Sequence, residues 1–202
     1  MKQMIVYVHG KGGSAAEAEH YRPLFDGCEV AGFDYRAQTP WEAREEFPLF
    51  FDPLNMKNGP VTLIANSIGA FFCMTALSGK QIGRALFISP VVDMERLIAG
   101  MMARAGVTED ELRAKKEIPV GFGETLSWDW LCDVRRHPVR WSVPTRILYG
   151  ERDFLTSPET MSAFAARIGA QLTVMPCGEH WFHTPEQMDF LDRWLRESSQ
   201  LS

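Results

Sequence analysis

Nowhere does the chain carry 18 consecutive apolar residues, so nothing in it predicts a membrane-spanning helix. A basic surface is missing as well. The chain holds 21 Lys and Arg against 26 Asp and Glu, a formal charge of −5. Binding nucleic acid or an anionic membrane needs clustered Lys and Arg. The one short cluster, Arg113-Ala114-Lys115-Lys116, reads as the solvated end of a helix. Cys28, Cys73, Cys132 and Cys177 form no C-x-x-C pair and no metal-ligand spacing. They read as reduced, buried thiols of a cytoplasmic protein, with Cys177 placed where a redox-sensitive neighbour of His180 would sit. The first strand-like run opens at Met4, leaving no room for the parts of a signal peptide. Repeats and low-complexity segments are missing too.

What is present is ordinary for one globular core. Of 202 residues, 46% are apolar and 23% charged, which points to a single domain over residues 1–202. Six runs have the length and β-branched content of buried strands: residues 4–9, 28–35, 61–65, 84–89, 145–150 and 171–176. Helix signals alternate with them. Ser14 with Glu17 and Thr184 with Gln187 have capping-box spacing, Pro185 stands at a first helical position, and Ser157-Pro158 opens a helix that Gly169 can close. Alternation of this kind predicts an α/β fold, a mostly parallel sheet of about six strands covered by helices on both faces.

One region breaks the alternation. Residues 91–142 are too long for a single crossover. Met94, Leu97, Ile98, Met101, Met102 and Ala105 make the stripe of an amphipathic helix, with Asp93 as N-cap and Gly106 beyond its end; Thr108 with Glu111 starts a shorter one. The following segment, IPVGFGETLSWDWL, has no clean period. The region reads as a helical insertion lying over the sheet.

Ligands of open parallel sheets bind beyond the carboxyl ends of the strands. Those ends carry His9-Gly10-Lys11-Gly12-Gly13-Ser14 after the first strand and Asn66-Ser67-Ile68-Gly69 after the third. Gly150-Glu151-Arg152-Asp153 follows the fifth, and Cys177-Gly178-Glu179-His180-Trp181-Phe182-His183 the sixth. A serine, an aspartate and a histidine thus occupy separate strand ends, in the chain order Ser67, Asp153, His180. Ser67 has Ala65 two residues before it and Gly69 two after. A plain helix N-cap does not need such small neighbours.

These residues resemble the α/β-hydrolase fold of serine hydrolases, whose nucleophile elbow is a small-x-Ser-x-Gly turn between strand and helix. The sequence Ala65-Asn66-Ser67-Ile68-Gly69 departs from the usual pattern by Ala65, whose methyl group is still small. The resemblance covers residues 4–197 and implies a small member of the family, with a trimmed sheet and a lid formed by the insertion. It implies Ser67 as nucleophile, His180 as base and Asp153 as the residue orienting it. Glu151 is a rival acid and His183 a rival base; His180, directly after the Cys177-Gly178-Glu179 turn, fits the pattern better. The backbone N–H groups of Lys11 and Ile68 take the place of the oxyanion donors, with the Lys11 side chain in solvent. Gly12, Asn66, Met101, Met102, Trp128 and Trp130 are candidate pocket residues, and Asp34 borders the same area; His9 and His20 read as structural. The implied activity is cleavage of a carboxylic ester or related acyl compound through an acyl-enzyme, with a small-molecule substrate and neither cofactor nor metal. Thioesters and small peptides or amides stay open as substrates, as does a ligand-binding module that does no chemistry.

Overall fold

The computed structural model describes residues 2–200. The chain runs β1 (Met4–Val8), a short helix α1 (Ala18–Tyr21) between 3-10 turns, β2 (Glu29–Phe33), α2 (Pro40–Asn58), β3 (Val61–Asn66), α3 (Ile68–Ala76) and β4 (Ile82–Ile88). Then come α4 (Met94–Ala105), α5 (Glu109–Lys115), β5 (Glu117–Pro119), β6 (Thr125–Ser127) and α6 (Trp128–Arg136). It closes with β7 (Thr145–Gly150), α7 (Pro158–Ile168), β8 (Gln171–Met175) and α8 (Pro185–Gln200). Six strands form one parallel sheet in the order β2-β1-β3-β4-β7-β8, and β5 pairs antiparallel with β6 as a separate hairpin.

Central strands of a sheet covered on both faces must be apolar on both faces. All five residues of β1 are buried accordingly. Period-two alternation divides them: Met4, Val6 and Val8 join the cluster that packs Phe47 and Phe51 of α2 and Phe71 and Met74 of α3, while Ile5 and Tyr7 join Tyr21 of α1 and Trp194 and Leu195 of α8. The strand order reverses at β1, which lies between β2 and β3. The crevice beyond β1 and β3 is therefore the topological switch point where ligands of such sheets sit.

The helix ends follow local chemistry. Asp93 accepts from the Arg96 N–H at 2.9 Å and Gly106 ends α4 at φ 66°; Thr108 accepts from Glu111 at 3.2 Å, and Ser157 from Thr160 at 3.3 Å. At α8 the box is only half closed. Thr184 caps the Gln187 N–H at 3.3 Å, but the Gln187 side chain accepts from His183 rather than Thr184. The longest described helix, α2, begins at a full Thr39–Glu42 capping box with Pro40 in its first turn, and it carries Pro48 and Pro53 inside. Those prolines break the pattern by which a helix is read from sequence.

The aperiodic segment of the insertion resolves into the β5–β6 hairpin, turned at Gly123, and into α6, which Ser127 caps through the Trp130 N–H. A double ion pair from Arg44 of α2 to Asp133 anchors α6 to the body, and the Trp130 ring stacks on Phe71 at 6.2 Å. The expectation of uniformly buried thiols needs correction. Cys73 is fully buried, but Cys28 and Cys132 are half-buried and Cys177 is exposed, in a positive-φ turn beyond the core. No helix among the described residues is long and apolar enough to cross a membrane.

Candidate active site

The junction after β3 is the most constrained point of the chain. Ser67 sits at φ 51°, ψ −119°, a conformation that L residues rarely adopt. Backbone bonds to the end of β4 hold it there: its N–H donates to the Ile88 carbonyl at 3.0 Å, and its carbonyl accepts from Val91 at 3.1 Å. Ala65 beneath it is fully buried. Gly69 is required by close approach, because a Cβ there would lie 2.2 Å from the His9 carbonyl oxygen. Gly69→Ala is expected to force α3 away from β1 and destabilise the fold by about 1–3 kcal/mol, the usual cost of overpacking. A lowered denaturation midpoint at unchanged slope is the measurement.

A second close approach brings the other two side chains together. Gly150 ends β7, and a Cβ there would meet the Glu179 carbonyl oxygen at 2.4 Å. The turn after β7 and the loop after β8 can therefore lie against each other, tied by the Arg152 N–H on the Gly178 carbonyl at 2.8 Å. Across this contact His180 Nδ1 donates to Asp153 Oδ2 at 2.7 Å. With that proton committed, His180 Nε2 faces Ser67 Oγ as acceptor at 2.9 Å. The His180 and Asp153 side chains are 2% and 0% exposed, so water does not compete for the bond between them, whereas Ser67 is half-buried and opens onto a cavity. Asp153 Oδ1 is satisfied separately by the N–H groups of Leu155 at 2.8 Å and Thr156 at 3.2 Å. The Thr156 carbonyl in turn accepts from the Tyr149 hydroxyl at 2.7 Å. Burial pushes that phenol up to about 12, so it remains a protonated donor near neutral pH.

The rival residues lie elsewhere. Glu151 turns away and accepts from the Cys177 N–H at 2.8 Å. His183 Nδ1 donates to the Trp181 carbonyl at 2.8 Å, with Glu179 3.6 Å away, and the ring is exposed. His9 hydrogen-bonds to the Gly10 carbonyl within its own loop and stacks on Tyr35, and His20 pairs with Asp192 on α8.

Two backbone donors flank Ser67. Ile68 is the first residue of α3, so its N–H has no intrahelical acceptor. Lys11 lies in the turn after β1, which the Gly13 N–H closes on the Gly10 carbonyl at 3.2 Å; a Cβ on Gly10 would be 3.2 Å from Ser67 Cβ. The Lys11 side chain is exposed as expected, yet it is not alone in solvent. Its Nζ lies 2.6 Å from Glu124 in the β5–β6 turn, which joins this loop to the insertion.

A cavity of about 930 Å³ opens above Ser67. Gly12, Tyr35, Ala37, Ile68 and Phe72 line it from the body, Leu97, Met101, Leu126 and Trp130 from the insertion, and Phe154 and Leu155 from the loop after β7. Four of the residues expected in or beside it fall outside. Met102 follows Met101 on a helix, where successive residues point about 100° apart, so it turns into the core. Trp128 lies under the Lys116 ammonium at the hairpin base. Asn66 follows strand alternation onto the Tyr7 side of the sheet, and Asp34 is exposed and lines no part of the cavity. Phe154, Leu155 and Phe72 carry no local signal that marks them as lining residues, because only the fold brings those segments to one crevice. Among the described residues no group of three or more His, Cys, Asp or Glu is placed to hold a metal ion.

A sequence model of the alpha/beta hydrolase family matches residues 5–193. The chain belongs to the α/β hydrolase family. A candidate esterase/lipase of Mycoplasma genitalium is 27% identical over 103 residues; the match spans 45% of this chain and only 37% of that relative. Among solved structures, Est1E from Butyrivibrio proteoclasticus superposes with a TM-score of 0.76 at 16% identity, covering 98% of this chain and 87% of its own. Monoacylglycerol lipase from Paleococcus ferrophilus gives 0.64 at 18% identity, covering 97% and 93%. At such identities the structures establish the fold, and this α/β hydrolase must be read from its own site.

Proposed function

We propose that this α/β hydrolase is a serine hydrolase that cleaves a carboxylic ester or related acyl compound through an acyl-enzyme. The observation that carries the reading is the unbroken Ser67–His180–Asp153 relay, 2.9 Å and 2.7 Å, standing at the switch point of the sheet. A free serine hydroxyl is a weak nucleophile. Here Nε2 of His180 takes the Oγ proton as Oγ attacks the acyl carbon, and Asp153 stabilises the imidazolium that results. The carbonyl oxygen becomes an oxyanion, met by the N–H groups of Ile68 and Lys11. Collapse expels the leaving group, which receives the proton from His180 and leaves the acyl group on Ser67. Water, deprotonated by the same imidazole, then releases the acid.

The insertion acts in this reading as a lid whose inner face holds the acyl chain. Burying a methylene is worth about 0.8 kcal/mol, so kcat/KM should rise about fourfold per added carbon until the cavity is filled. The test is hydrolysis of esters of one alcohol with acyl groups from acetyl to dodecanoyl, beside the matching thioesters and amino-acid arylamides. Oxygen esters should turn over best, with a sharp optimum in chain length. Met101→Ala should move that optimum toward longer chains. Met102→Ala, which empties a core site, should lower stability by about 2–5 kcal/mol and leave the optimum in place. If Met101→Ala scaled every ester equally, the lid residues would be packing alone.

A further inference from the structure

Two large aromatic side chains stand in solvent beside the relay. Phe154 is 71% exposed and Trp181 is 65% exposed. Single exposed apolar residues are common and need no purpose. These two, however, follow Asp153 and His180 directly in the chain and form one surface. The Phe154 ring lies 6.0 Å from the His180 imidazole and meets Trp181 at 6.4 Å, nearly edge to face at 89°.

Both backbones are held firmly. The loop carrying Phe154 winds on the Asp153 carboxylate through the Leu155 and Thr156 N–H groups. Trp181 follows the fixed His180, and its carbonyl accepts from His183. Phe154 also belongs to the wall of the cavity. The chain thus keeps two wet aromatic faces in place at the mouth of the site, where a bound molecule would dry them.

We propose that Phe154 and Trp181 bind the leaving group of the substrate, and that this group is an alcohol bearing an aromatic ring. The inference rests on the serine-hydrolase reading. In that mechanism His180 Nε2 hands its proton to the departing oxygen, which must lie within hydrogen-bond reach of it, about 3 Å. With the acyl chain against the insertion's face of the cavity, the alcohol portion extends along the opposite wall, past His180 toward Phe154. The ring next to that imidazole is Phe154, and Trp181 continues the surface outward. A corner of two rings set edge to face accepts a third ring stacked offset on one and edge-on to the other, the arrangements that aromatic quadrupoles favour.

The test uses one acyl group and three alcohols: benzyl, cyclohexylmethyl and ethyl. All three esters yield the same acyl-enzyme, so deacylation is common to them and any difference arises in acylation. The benzyl ester should exceed the ethyl ester in kcat/KM by about tenfold and should also exceed the cyclohexylmethyl ester, which matches it in bulk but lacks a π face. Phe154→Ala and Trp181→Ala should each bring the benzyl-to-ethyl ratio toward one, and Trp181→Phe should keep most of it. Labelling of Ser67 by a fluorophosphonate, whose leaving group is a small fluoride, reports whether the site has folded. A flat ratio in a labelled wild-type protein, or variants that label yet slow all three esters equally, would overturn this inference alone. Trp181→Ala that keeps the ratio but loses binding to lipid vesicles would overturn it in favour of a membrane contact. Wild-type protein that never labels would overturn it together with the serine-hydrolase reading.

Discussion

Ser67→Ala is expected to lower kcat by roughly 10⁵–10⁶-fold, with the residual rate supplied by binding and the proposed oxyanion donors. The structure gives a reason to expect little change in stability alongside it. The strained backbone of Ser67 is held by Ile88 and Val91 through main-chain bonds, none of which involves the hydroxyl. Alanine loses only the bond to His180. A near-wild-type denaturation midpoint with a nearly dead enzyme would therefore separate chemistry from folding. The adduct of a fluorophosphonate, mapped by mass spectrometry, should sit on the peptide containing Ser67 and disappear in the variant. Ser89 is the instructive competitor. It too follows a central strand at positive φ, and its Oγ has no hydrogen-bond partner among the described residues. It is nevertheless wholly buried, out of reach of any substrate, and no base faces it. Label that moved intact to another serine in Ser67→Ala would remove Ser67 from the mechanism.

The contrast between Ser67 and Ser89 shows what sequence can and cannot disclose. Buried strands are short, β-branched and continuous, so each of the six was legible, with ends shifted by at most two residues (28–35 against Glu29–Phe33, 84–89 against Ile82–Ile88). Caps that act within one turn, such as Asp93 on α4 and Ser157 on α7, were legible for the same local reason. Elements whose local signal is contradicted were not. Pro48 and Pro53 mask α2, and a hairpin with strands of three residues is too short for its alternation to register. Relations across the fold were least legible of all. Strand alternation and helix phase decide that Met101 reaches the cavity while Met102 and Asn66 do not, and the Lys11–Glu124 pair joins residues 113 apart. Ser67, Asp153 and His180 could be proposed because each stands at a strand end, where topology alone brings distant residues to one edge.

The same edge sets different expectations for the two histidines. His180→Ala is expected to abolish acylation, a loss on the order of 10⁴-fold or more, because among the described residues His180 is the side chain hydrogen-bonded to the Ser67 hydroxyl. His183→Ala should keep most of the turnover. Its ring is exposed and spends its Nδ1 proton on the Trp181 carbonyl, so the variant forfeits one solvent-facing hydrogen bond, about 1 kcal/mol. The difference is built into the chain path. The loop after β8 reaches its closest approach to β7 at Gly178 and Glu179, opposite Gly150, and His180 comes next, under Asp153. Three residues later the backbone is already committed to α8, since the His183 N–H is taken by Gln187 and Thr184 caps the helix. His183 therefore cannot swing back to Ser67 without unwinding the start of α8. Single-turnover acylation measured in both variants decides the matter. A dead His183→Ala beside an active His180→Ala would transfer the role of base to His183 and would require the loop to adopt another path during the reaction.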